Sequence, residues 1–110
     1  MHDPVPQLAV QECATRLQSE PENTLLLDVR EPWELDLAAV NGSINIPMHL
    51  VPVRLQELPQ DKTIIVMCHH GGRSQQVAQY LTHHGYARVF NLSGGIHAWS
   101  EQVEPEIPQY

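Results

Sequence analysis

The sequence predicts an α/β domain with a central, mainly parallel β-sheet and helices on both faces. Two observations predict it. Short apolar runs that read as strands buried on both faces alternate along the chain with segments of helical spacing. The whole pattern fits within 110 residues, undivided by any repeat, low-complexity block or linker, which is the size of one domain. Residues 1–110 are therefore read as a single domain. Residues 1–7 and 104–110 are read as frayed or extended tails, because "DPVP" and "EPEIPQY" concentrate proline there.

Each element follows from its local pattern. "AVQECATRLQSE" puts Val10, Cys13, Ala14 and Leu17 at helical spacing, which turns Cys13 toward a core. "TLLLDV" is a continuous apolar run ending in an acid, the mark of a strand buried on both faces. "EPWELDLAAV" forms a short helix with Pro32 in its first turn. "GSINIP" is a short strand or extended segment, and "MHLVPVRLQELP" makes helical turns stopped at Pro59. "KTIIVMC" is the clearest strand. "RSQQVAQYLTHHG" is a helix with Val77, Ala78 and Leu81 on one face and Gly85 as its stop. "ARVFNL" is a further strand, and "GGIHAWSEQV" a last helix. Gly94 and Gly95 are read as turn residues allowing close helix–sheet approach. Trp33 and Trp99 are expected in the core or against helices, and His83 and His84 beside the last carbonyls of their helix.

Composition excludes several functions. The formal net charge is −7, with 6 basic against 13 acidic residues. No Lys/Arg cluster exists to displace counterions from phosphates, so nucleic acid is not an expected partner. No apolar run reaches membrane-spanning length. "MHDPVPQL" has neither the basic nor the apolar region of a signal peptide. The two cysteines, Cys13 and Cys68, form no disulfide framework and suit a reducing cytoplasm.

In sheets of this class, sites form at the carboxyl ends of strands. Asp28 and Cys68 both stand there. The loop "HHGGRS" after Cys68 leads directly into a helix. If that backbone curls tightly, its N–H groups form an anion-binding nest, and the helix N-terminus adds partial positive charge. Gly71 and Gly72 permit such dihedrals. That field favours a thiolate. Three roles compete for Cys68: a core residue, a metal ligand or a nucleophile. The glycines, the arginine and the helix start favour the nucleophile. Adjacent residues such as Cys68, His69 and His70 rarely converge on one ion, and no second cysteine or carboxylate stands at a usual ligand spacing, so no metal is expected. Asp28 and Arg30 either support the pocket or form a salt bridge tying a strand end to a loop; the second reading is favoured.

Four stretches, in order and at compatible spacing, resemble the motifs of rhodanese-type sulfurtransferase domains: "LLLDVREPWEL", "NGSINIP", "MCHHGGRS" and "NLSGGIHAW". The resemblance covers nearly the whole chain. It implies a single rhodanese domain in which Cys68 carries sulfane sulfur as a persulfide. It also implies that the backbone amides of His69, His70, Gly71, Gly72, Arg73 and Ser74 hold that persulfide, and that Arg73 helps bind an anionic donor such as thiosulfate. Cyanide or a thiol would accept the sulfur, and no cofactor is called for. One departure stands at "AAVNG", where many members read Gly-His-Ile-Pro-Gly; Ala39 replaces the histidine and Asn41 the proline.

Two alternatives remain at this point. A sulfur carrier or interaction module of a sulfur-relay system would use the same persulfide with a protein partner. A cysteine-dependent phosphatase or arsenate reductase would use an oxyanion loop. Loops of that kind usually place five residues between cysteine and arginine, whereas Cys68 and Arg73 are separated by four. A smaller ring suits a sulfur atom better than a phosphate group.

Overall fold

A computed structural model describes residues 5–110. Strands β1 (Gln7–Leu8), β2 (Thr24–Asp28), β3 (Ile44–Asn45), β4 (Thr63–Met67) and β5 (Val89–Leu92) alternate with helices α1 (Val10–Ser19), α2 (Pro32–Leu37), α3 (Gly72–His83) and α4 (Gly95–Gln102). Two short 3₁₀ turns, Met48–Leu50 and Leu55–Glu57, occupy the proline-rich stretch between β3 and β4. The strands form one sheet in the order β1-β5-β4-β2-β3, and every pairing is parallel. Among the described residues, no helix is long and apolar enough to cross a membrane.

The period-two alternation of β4 splits the core. Ile64, Val66 and Cys68 belong to the layer with Val77, Ala78 and Leu81 of α3. Ile65 and Met67 face the opposite layer, with Cys13 of α1 and Ile96 and Trp99 of α4. One sheet is thus covered on both faces, as its largely apolar central strands require. The alternation also decides which way the cysteine points. Continuing β4 by one residue sends Cys68 toward α3, while Cys13 lies sealed on the other face.

Three expectations need correction. Of the expected tail 1–7, residues 1–4 lie outside the described residues, and residues 5–7 are extended but not frayed: Val5 is buried, and β1 pairs with β5 through Asn91 N–H to Pro6 O and Ser93 N–H to Leu8 O. Prolines are tolerated there because β1 is an edge strand needing few ladder bonds. Tyr110, placed in the other tail, is bonded to Arg30 and Glu34. Trp33 is 60% exposed, because the short α2 buries Glu34 rather than Trp33. Trp99, by contrast, is buried with its indole N–H on Glu104.

Helix α2 also ends earlier than its apolar pattern suggests. Ala38 is extended, and its carbonyl accepts from the Arg30 guanidinium instead of continuing the helix.

Candidate active site

Cys68 sits at the bottom of a tight loop joining β4 to α3, with 1% of its surface exposed. The Gly71 N–H points at its sulfur, 3.1 Å from Sγ. Gly71 holds φ at +119°, a conformation that side chains with a Cβ resist, and this turns its amide inward. Helix α3 begins at the next residue, so the amides of Gly72, Arg73 and Ser74 belong to its first turn and have no intrahelical acceptor. The Gly71 turn thus brings one loop amide onto the sulfur at the start of α3.

The Ser74 hydroxyl lies 3.3 Å from Sγ and 2.5 Å from Asn91 Oδ1. Asn91 donates its amide N–H groups to Gln7 Oε1 and Gly71 O, which leaves Oδ1 toward Ser74. One hydroxyl hydrogen thus faces two acceptors. With a thiol at Cys68, Ser74 can donate to Asn91 and accept from the S–H group. With a thiolate, the hydroxyl can turn to the sulfur. Ser74 is therefore placed to follow the protonation state of Cys68.

Arg73 does not point to the sulfur. Its two terminal nitrogens form a bidentate pair with the Glu34 carboxylate, at 2.7 and 2.8 Å. Glu34 also accepts from the Glu31 N–H, closing a capping box at α2, and from the Tyr110 hydroxyl. Arg73 in this structure therefore ties the start of α3 to α2. Behind it, Arg30 pairs with Asp28 at 2.7 Å, both fully buried, and donates to the Tyr110 hydroxyl. A hydrogen-bonded chain runs Asp28–Arg30–Tyr110–Glu34–Arg73, with an arginine on each acid, which keeps the buried acids compensated. Asp28 and Arg30 thus form a buried strap beneath the loop's supports.

The Arg73 hydrogen bonds hold the Glu34 carboxyl at about 2, well below its ordinary 4.5, against the opposing effect of burial. A depressed carboxyl pKa contributes stability that is complete above about 4.5 and is lost as pH falls toward about 2. Glu34→Gln removes that contribution. The expected result is a urea midpoint that falls less steeply between those two pH values than in the unchanged chain. Parallel curves would show that Glu34 does not couple folding to pH.

Three histidines gather over the loop. His69 stacks on Tyr110 at 3.9 Å between centroids and on His70 at 4.0 Å, while His97 of α4 lies 5.0 Å from His70. Burial first, and then His70, lower the His69 pKa. Helix α4 reaches the loop because Gly95 has no side chain: a Cβ there would stand 2.4 Å from His69 O and 2.5 Å from Cys68 O. The contact expected at Gly94 and Gly95 is thus a helix–loop approach at Gly95, sealed by Ile96 N–H to Cys68 O and His97 N–H to His69 O.

Of the residues singled out from sequence, Cys68, Gly71 and Ser74 meet at the sulfur. Gly72 opens α3, His69 and His70 form the rim, Arg73 turns to Glu34, and Asp28 and Arg30 lie below. Sequence reasoning missed Glu34, Asn91, His97 and Tyr110. The spacing of Glu31 and Glu34 before an apolar run resembles a capping box, and Asn91 is a lone polar residue in a strand. No sequence signal marks Tyr110.

The family model for the rhodanese-like domain matches residues 10–102. A sulfurtransferase from Allochromatium vinosum is 39% identical over 89 residues, covering 81% of this chain and 83% of the relative. The thiosulfate sulfurtransferase GlpE of Tolumonas auensis is 33% identical over 93 residues, covering 84% and 86%. Some other curated relatives are longer, and the match covers 38% of one and 21% of another. The crystal structure of reduced Bacillus anthracis CoADR-RHD superposes with a TM-score of 0.84 at 34% identity, covering 94% of this chain and 18% of that one. With the fold, the loop and the family match in agreement, the chain belongs to the rhodanese-like domain family.

Proposed function

We propose that this chain is a sulfurtransferase that moves sulfane sulfur from thiosulfate or a similar anionic donor through a Cys68 persulfide to cyanide or a thiol. The observation that carries the reading is the Gly71 N–H aimed at a buried Cys68 Sγ at a helix N-terminus. The relatives' sulfurtransferase activity supports it. In the first half-reaction the Cys68 thiolate attacks the outer sulfur of thiosulfate. An S–S bond forms, the donor S–S bond breaks, and sulfite leaves with the electron pair. In the second, the acceptor attacks the terminal sulfur and the Cys68 thiolate departs. The Gly71 amide, the Ser74 hydroxyl and the free first-turn amides of α3 stabilise negative charge on sulfur throughout, with little reorganisation.

The part of Arg73 differs from a simple donor clamp. Its charge is already balanced by Glu34, so its contribution to donor binding comes through N–H groups not committed to that pair and through holding the loop. The carrier reading shares the persulfide and differs only in the acceptor.

The test is Cys68-dependent turnover of thiosulfate with cyanide, with a small thiol and with a candidate relay protein, beside an aryl phosphate. Turnover with small acceptors is expected, and transfer only to protein would favour the carrier. Faster turnover of the aryl phosphate than of thiosulfate would replace this reading with the phosphatase one. The four-residue gap before Arg73 argues against that outcome, because a tetrahedral phosphate needs a wider ring to bring phosphorus within about 3–3.5 Å of the sulfur.

A further inference from the structure

The histidines over the loop carry chemistry that sulfur transfer does not use. One ring nitrogen from each of His69, His70 and His97 lies within 4.8 Å of the other two. Two nitrogens in this cluster, His69 Nε2 and His97 Nδ1, are buried with no hydrogen-bond partner. Leaving a buried polar nitrogen unpaired costs about 1–3 kcal/mol, so two such atoms in one cluster call for a partner.

Both rings also have a neighbour outside the cluster: His69 interacts with the Tyr110 backbone, and His97 Nε2 lies 3.6 Å from Glu101 Oε1, within ion-pair range. A backbone group on one ring and a carboxylate on another are the outer partners that orient imidazoles toward a metal ion. The placement is built into the backbone, since His97 N–H donates to His69 O at 3.1 Å. His70 is exposed and can swing its ring in as a third ligand.

We propose that His69, His70 and His97 form a binding site for a borderline divalent transition-metal cation, zinc being its type, at the rim of the Cys68 loop. Three imidazoles and an open fourth position match the donor number of open zinc sites. A nitrogen-only set selects zinc, copper or nickel over magnesium and calcium, which prefer oxygen. Tetrahedral ligands at ~2.0–2.1 Å from zinc lie ~3.4 Å apart, so the cluster closes by a modest rotation led by His70. Cys68 is not a ligand, because its sulfur is turned inward to Gly71 and Ser74. A metal was not expected from Cys68, His69 and His70 alone; the added ligand, His97, comes from a helix distant in sequence.

Calorimetric titration of the full chain with zinc chloride, after chelator treatment, tests the site. One ion per chain is expected, with the same affinity in Cys68→Ser. Cobalt(II) substitution should give d–d absorption without a thiolate charge-transfer band. His97→Gln should weaken zinc at least tenfold while metal-free sulfur transfer stays unchanged. His70→Gln, at an exposed position that does not threaten folding, should weaken zinc as well. Undiminished affinity in either histidine variant, loss of binding in Cys68→Ser, or no stoichiometric uptake would overturn the proposal. None of the zinc-binding readouts depends on the identity of the sulfur donor.

Discussion

Incubation with thiosulfate is expected to add one sulfur mass to this chain, and Cys68→Ser is expected to abolish the adduct completely. Cyanide should remove it from the unchanged chain. The two cysteines have opposite surroundings. Cys13 lies fully buried on α1, and burial pushes its thiol up to about 12, so it stays protonated and inert at neutral pH. Cys68 is also buried, but its sulfur meets the Gly71 N–H and the Ser74 hydroxyl at the start of α3. Cys13→Ser should therefore load as fully as the unchanged chain. Intact-mass measurement reads all three. An adduct persisting in Cys68→Ser, or lost in Cys13→Ser, would contradict the assignment.

Why Cys68 could be found from sequence while its supports could not is a matter of range. The strand ending on Cys68, the glycine pair and the helix after it are contiguous, so local pattern places them. The parallel sheet is legible for the same reason, since "TLLLDV" and "KTIIVMC" have no polar face to leave in water. β1 was hidden because two ladder residues flanked by proline carry almost no periodic signal. The supports come from pairings distant in sequence. Glu34 meets Arg73 across 39 positions and Arg30 meets Tyr110 across 80. A charged residue read locally looks solvated, and only the closed fold shows that Glu34 is 2% exposed. Arg73 illustrates the consequence. Its type and spacing suggest an anion clamp, yet the carboxylate that occupies it lies on another element.

Arg30→Met is expected to destabilise the chain by about 3–5 kcal/mol, the cost of breaking a buried pair by removing one partner, against a total of about 5–15 kcal/mol for a typical domain. The guanidinium is fully buried and uses its whole fork. Nε and one terminal nitrogen donate to the Asp28 carboxylate, at 3.0 and 2.7 Å. That same terminal nitrogen donates to Ala38 O at 2.8 Å, and the other donates to the Tyr110 hydroxyl at 2.8 Å and to Glu34 O at 3.4 Å. Methionine fills much of the volume but supplies no donor. Asp28 would keep the Arg30 backbone N–H and lose its countercharge. Lysine cannot substitute, because a single ammonium has three donors and no planar fork to reach four groups at once. Arg30→Lys should therefore lose most of the same stability. Adding Asp28→Asn to Arg30→Met removes the stranded charge, so the double variant should be more stable than Arg30→Met alone. The effect should reach the active site through Tyr110, which stacks on His69 at 3.9 Å and bonds both Arg30 and Glu34. Once Arg30 is gone, hydrogen exchange at the His69 and His70 amides should quicken more than in the β4 strand. Urea midpoints measure the stability arm. A loss below ~1 kcal/mol for Arg30→Met, the range of an exposed ion pair, would mean that the Asp28–Arg30 pair is not the buried strap assigned here.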